Sequence, residues 1–326
     1  MRTNSSQAGF SLVELLVAMT IMLLISGAAV SALLRMTSAQ ATIWNRTQMH
    51  SGIRGATEVL QQEVGQAGRI SLPGPVSVTA ASAAGGAGVP VTLSVTSSTG
   101  MFVGMKLTID TGTAANDTSP AQETVVVTAV PSTTSVTVLS LVTTPTAGKV
   151  RAHNVGAPIL ALGSFTSGVV PPDMTNGSTG SVLKLYGDIN DDGNMVYIEY
   201  TCDTAGKNLY RNVMAFSAGS KPALAASQIL LSNIRPNPPV SSPTPCFTYQ
   251  TETVLGNTYV IDVAITLTVE TQNLDTVTKQ KQLETKALLN VSPRNVYGAW
   301  QLASLNITER IQLIPPSVTN LLVPLP

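Results

Sequence analysis

The chain has 326 residues, of which 11% are charged (18 basic against 18 acidic) and 4% aromatic. With no net field and few rings, it lacks the electrostatic and stacking surfaces that bind nucleic acid, and no nucleic-acid partner is expected. A 44% hydrophobic content can fill a core and excludes disorder, while 25 Gly, 20 Pro and abundant Thr, Ser and Val point to short strands joined by turns.

Residues 1–9 are polar, with Arg2 the only charge. The run FSLVELLVAMTIMLLISGAAVSALL, residues 10–34, is long enough to span a bilayer as a helix. A cleaved secretory signal has a shorter apolar core with a small-residue site at its far end. Here the small pair Ala8-Gly9 precedes the run, so a cut there removes the leader and keeps the helix. Glu14 is the one ionisable residue in the run, and a carboxylate in hydrocarbon is a functional signal because leaving it unpaired is costly.

Beyond Arg35 the pattern turns amphipathic. Ile43, Ile53, Leu60 and Val64 recur at near-helical spacing, with Arg46, Arg54, Glu58, Gln61, Gln62 and Glu63 between them. Gly65, Gly68 and Pro73 punctuate the end. A helix over 10–66 would be roughly 85 Å long, too long for one globular domain to bury, so one half must pack against something outside the chain. Trp44 fits either a membrane interface or packing between such helices.

The stretch AGFSLVELLVAMTI resembles the prepilin N-terminus of type IV pilins and type II secretion pseudopilins: Gly before the cut, an aromatic first mature residue, Glu at the fifth mature position. The resemblance implies that a prepilin peptidase cuts between Gly9 and Phe10 and methylates the new amine. It implies that Glu14 pairs with the N-terminal amine of a neighbouring subunit. Such a charge pair in low dielectric acts as a register device. The leader departs from the family in having one basic residue where several are common.

The expected fold class is α+β: the long N-terminal helix, then an antiparallel β pilin head with an inserted all-β module. After Pro73, the stretches VGMKLTID, ETVVVTAV, TSVTVLSLV and GKVRA read as short strands bounded by turn residues. They define an inserted module over 73–165, expected as a surface decoration. Over 175–295, SVLKLYG and MVYIEYT form a hairpin around DINDDGN, CDTAGKNLYRNV adds a turn and strand, and YVIDVAITLTVET pairs with KQLETKALLNVSPRN. This succession resembles the C-terminal sheet of PilW-type minor pilins, through Tyr197, Ile198, Tyr200, Leu209, Tyr210 and Arg211, with Pro293, Arg294 and Asn295 after the last strand. Ala67 and Gly68, just past the helix, fit the same group. The tail, 296–326, is apolar and Pro-rich and either docks on the sheet or seeks a partner.

Asp188, Asn190, Asp192, Gly193 and Glu199 satisfy a calcium-loop pattern. In a strand, however, Glu199 would run about 10 Å from the turn, leaving Asp188, Asn190 and Asp192 to hold at most a weak Ca²⁺. The alternative, favoured here, is a solvated Asp/Gly hairpin turn, and no cofactor is required. Cys202 and Cys246 would meet an oxidising compartment if the helix sends the chain outward, making a disulfide the expected pairing and two buried thiols the alternative. His50 and His153 lie in no metal-ligand spacing, and no nucleophile elbow or phosphate loop is present, so no enzymatic activity is expected.

The resemblance implies a minor pilin of a type IV pilus, in pilus assembly, initiation or tip decoration, with roles in adhesion and motility. Its partners would be other pilins, the prepilin peptidase and, before assembly, the inner membrane, with a single-pass helix and the head outside the cytoplasm. A type II secretion pseudopilin is one alternative and a calcium-dependent anchored adhesin another.

Overall fold

The computed structural model describes residues 11–110, 122–141, 150–276 and 278–324. Helix α1 spans Leu12–Gln66, 55 residues rich in good helix formers and free of Pro. Its hydroxyls are turned back onto the preceding turn, Thr20 Oγ1 donating to Val17 O (2.8 Å) and Ser31 Oγ to Ala28 O (3.1 Å), so they are satisfied without water.

The chain forms two compact units, one taking the helix up to Ser51 with Glu270–Glu284, the other Gly52–Val269 with the residues from Thr285 onward. In the first unit residues 273–276 lie against the helix. Thr276 Oγ1 donates to Ser38 O (3.2 Å) and Asn273 Nδ2 to Asn45 Oδ1 (3.3 Å). Ser38, Thr42, Asn45 and Met49, one face at 3–4-residue spacing, are half-buried there.

In the second unit α1 buries Ile53, Ala56, Thr57, Leu60, Glu63 and Val64, again one face. The aliphatic side chains among them contribute about 2 kcal/mol each. Ile43 is exposed, because at 100° per residue it falls outside the face that Ile53, Ala56, Leu60 and Val64 share.

Six strands form an antiparallel sheet: β1 (Val76–Ser77), β2 (Val91–Ser94), β3 (Lys106–Ile109), β4 (Glu123–Ser132), β5 (Ser135–Ser140) and β6 (Pro158–Leu160), in the order β1-β6-β3-β4-β5-β2. β7 (Ser164–Phe165) follows. A four-stranded sheet then places β8 (Val182–Gly187), β9 (Val196–Asp203), β10 (Asn208–Ala215) and β11 (Ile229–Ser232) in the order β11-β10-β9-β8. A third sheet joins β12 (Ile234–Arg235), β13 (Phe247–Val254), β14 (Asn257–Glu270) and β15 (Leu283–Val291), with β14 pairing all three others. Helix α2 (Arg294–Ser304), β16 (Ile311–Gln312), parallel to β7, and α3 (Pro316–Leu321) complete the chain. The architecture is α+β, a long helix followed by antiparallel sheets, as the alternating patterns required.

Period-2 alternation put the DINDDGN hairpin and the β14–β15 pairing in place. β13 escaped it because its surface residues Thr248, Gln250, Thr251 and Glu252 dilute the pattern. The six-stranded sheet is not a surface ornament. Its inward residues, among them Leu93, Leu107, Val125 and Val138, share one hydrophobic cluster with Tyr186, Met195 and Tyr197 of the β8–β9 hairpin. The tail is folded as well: α2 buries Val296, Ala299 and Ala303, and Val318 and Leu321 of α3 enter the shared cluster.

Where α1 ends, the chain passes through a narrow gap. Gly68 has φ 84°, its N–H donates to Tyr186 O (2.9 Å), and its carbonyl accepts from Phe165 N (2.8 Å). A Cβ there would lie 2.8 Å from Val296 Cγ2. Gly68→Ala should therefore lower stability by about 2–4 kcal/mol, combining the left-handed backbone cost with overpacking. Chemical unfolding of the full chain in detergent measures it, and a change below 1 kcal/mol, on the order of an ordinary surface substitution, contradicts the tight crossing.

Candidate functional site: an assembly helix and its clamp

The first turn of α1 has the order Ser11-Leu12-Val13-Glu14, a capping-box pattern. Glu14 Oε2 accepts the Ser11 backbone N–H (3.2 Å). The carboxylate thus satisfies one of the helix's orphan N–H groups and sits at the positive end of the helix dipole. This answers locally how a glutamate is held in an apolar run, a role that reading it only as a partner's counter-charge misses. Gly9 and Phe10 lie outside the described residues.

From Leu12 to Met36 the helix buries nothing among the described residues. Leu12, Met22, Leu23, Leu24 and Met36 are all exposed, and the most apolar stretch has no residue buried. Covering so much contiguous apolar surface requires lipid or other helices.

The other end of α1 is fixed by charge. Glu63, 7% exposed, receives Arg211 Nε at 3.0 Å on Oε1 and 3.2 Å on Oε2, a second bond from the Arg211 Nη2 atom, and the Tyr200 hydroxyl. Tyr200 and Arg211 are paired directly across β9 and β10, so the strand register delivers both groups to one carboxylate. Burial drives the Tyr200 phenol far above its ordinary range, and the Glu63 charge adds to it. For Arg211 burial pulls the other way, but the hydrogen bonds and charge of Glu63 outweigh it and raise its affinity for the proton. The triad is a fork-to-carboxylate lock between helix and sheet.

The tyrosine and arginine stand out in the sequence by resemblance; Glu63 does not. Its one sequence signal was position, since it falls on the same helical face as Ile53, Ala56 and Leu60, where a solvated glutamate does not belong.

On the opposite face of the same sheet, Glu199 accepts from Tyr197 Oη and Lys221 Nζ, each at 2.8 Å, with Lys184 Nζ 3.9 Å away. Lys184 Nζ donates to Asn176 O (2.8 Å) and Leu322 O (2.9 Å), tying the end of α3 to β8. Burial lowers the Lys184 pKa, Glu199 opposing and Lys221 adding to the shift. Glu199 is thus committed to lysines rather than to the Asp-rich turn.

Within that turn, Asp188 is 1% exposed and accepts the backbone N–H of Asp192 (3.1 Å) and of Gly193 (3.3 Å). Arg69 lies 2.6 Å from Asp191 and 3.9 Å from Asp188, and Asp192 accepts from Asn194 N (2.8 Å). Asp188 is therefore engaged by backbone donors and a guanidinium, the arrangement of an Asx-stabilised hairpin turn, while Asn190 and Asp192 are exposed. Among the described residues no group of three or more His, Cys, Asp or Glu is placed to share a metal.

Cys202 of β9 and Cys246, next to β13, are disulfide-bonded across 44 positions and join the second and third sheets. Closing that loop stabilises the fold by about 4 kcal/mol in the chain-entropy account. His50 pairs with Glu284. His153 is buried, its Nε2 2.8 Å from Glu123 Oε1, inside the six-stranded sheet unit.

The prokaryotic N-terminal methylation motif matches residues 4–30, the segment holding Gly9, Phe10 and Glu14. That motif is the one found in type IV pilin-like proteins. It fits a structural subunit processed by a prepilin peptidase, assembling with other pilins, and anchored by its apolar helix. Among curated proteins, none matches the chain.

Two outcomes test the clamp. Glu63→Gln should destabilise the full chain by about 3 kcal/mol, because the Arg211 cation is left half-buried without its counter-charge. Arg211→Met should cost a similar amount, and the double variant far less than the sum; additivity in a double-mutant cycle contradicts the lock. Separately, Lys184→Met should cost about 1–3 kcal/mol by orphaning two carbonyls, read by the same unfolding measurement.

Proposed function

We propose that the protein is a minor pilin of a type IV pilus, of the PilW type, acting in pilus assembly, initiation or tip decoration rather than as an enzyme. The N-terminal methylation motif on an apolar helix that the described residues leave uncovered carries the pilin part of this reading. The PilW part is supported by the clamp. The Tyr200 and Arg211 pair through which the head resembles PilW-type pilins is also what seats the helix on the sheet through Glu63.

On this reading a prepilin peptidase cuts between Gly9 and Phe10, the head faces away from the cytoplasm, and Glu14 serves twice. It caps its own helix before assembly, and afterwards its free capacity pairs with a neighbour's N-terminal amine. A carboxylate oxygen can accept more than one hydrogen bond, so the two roles do not exclude each other.

Deleting the gene should abolish or shorten surface pili and leave type II secretion intact, with the protein recoverable from sheared filaments of the parent. Glu14→Ala should remain in the membrane fraction and disappear from sheared filaments. Normal piliation with failed secretion would instead assign the chain to a pseudopilus.

A further inference from the structure

In the unit that joins the helix up to Ser51 to Glu270–Glu284, the turn between β14 and β15 occupies a narrow axial range of α1. Its contacts are Thr276 to Ser38 and Asn273 to Asn45. The apolar run ends at Leu34, followed by Arg35. At 1.5 Å per residue, Ser38 lies about 5 Å and Asn45 about 15 Å beyond Arg35. A headgroup layer occupies roughly 5–8 Å on each side of the hydrocarbon, so with residues 12–34 in a bilayer the lower edge of this turn is level with the headgroups.

The chemistry of the turn suits that depth. Leu274 points outward, 56% exposed, although an ordinary polar hairpin turn has no need of it. The charges are sorted as well. Glu270 is held by Lys281 (2.9 Å), Glu284 lies against the His50 ring, which is its counter-charge only when protonated, and the buried Asp275 accepts from Thr278 N (2.8 Å) and Gln282 Nε2 (3.1 Å). Arg35, Arg46 and Lys279 are exposed and have no ion-pair partner among the described residues, and no acidic residue occurs in α1 between Arg35 and Ser51. The acids are turned inward and the cations left outward, beside an exposed leucine.

We propose that the β14–β15 turn is a membrane-resting foot: it rests its lower edge on the headgroup layer of an anionic bilayer, with Lys279 and the exposed Leu274 beside that edge, while the subunit waits for assembly. The foot rests on the membrane-anchored reading above. Each basic residue within a Debye length of an anionic lipid surface favours contact by about fivefold, so Arg35 and Lys279 both favour contact of the turn with the headgroups.

The test uses the full chain in nanodiscs, with spin labels at single introduced cysteines. Among the described residues no native cysteine is free, the pair being disulfide-bonded, so the labels go where they are placed. Leu24→Cys marks hydrocarbon, Thr47→Cys marks the water side of the stalk, and Leu274→Cys and Lys279→Cys report on the foot. Collision with a headgroup-tethered nickel chelate is expected to be severalfold higher at both foot positions than at Thr47→Cys in discs containing phosphatidylglycerol. Lys279→Glu should lower it at the Leu274→Cys label. If the Leu24 label is lipid-buried but both foot labels match Thr47→Cys, the foot is overturned and the anchor stands. If the Leu24 label is not lipid-buried, the anchor and the foot fall together.

Discussion

The structure depends on one unsolved burial problem: α1 presents Leu, Val, Met and Ile from residue 12 to 36 that none of the described residues covers. A soluble domain would pack that surface or aggregate through it. Everything else follows from leaving it open. The helix must be handed to lipid or to neighbouring helices, and the rest of the chain must grip the helix elsewhere firmly enough for force and position to pass between them.

The grip is polar as well as apolar. Ile53, Leu60 and Val64 supply the area, but apolar contacts alone let a helix slide or rotate by a turn with little loss. A single carboxylate met by a guanidinium fork and a phenol fixes register, because any shift leaves a half-buried charge without its partner. The gap around Gly68 has the same effect on the backbone. It lets the chain cross from helix to strands between Tyr186 and Phe165 with no room for a side chain. The disulfide then ties the clamped sheet to its neighbour, so the helix is secured to the folded unit rather than to one hairpin.

Much of this was legible in the residues. The position of Glu14 in an apolar run, the small pair before it, and the strands around DINDDGN were local patterns, and local patterns survive in sequence. What did not survive was long-range pairing. Glu63 and Arg211 are 148 positions apart, and nothing in either segment names the other. The strand stretches over 76–160 alternated well enough to be read as strands, yet alternation says only that one face is buried, not against what. They bury it against the β8–β9 hairpin. The Pro-rich tail was opaque for a further reason. Pro315 and Pro316 open α3 instead of breaking a helix, since Pro at the first helical position lacks only an N–H that would be unpaired anyway.

The methylation motif and the exposed apolar run together fit a helix that is processed at its start and then shared with other subunits. The most direct test is the intact mass, with N-terminal sequencing, of the protein purified from membranes of its native host. The expected result is a chain that begins at Phe10 and carries one methyl group on its new amine. A chain still beginning at Met1, or one cut beyond Leu34 with the apolar run removed, would contradict it.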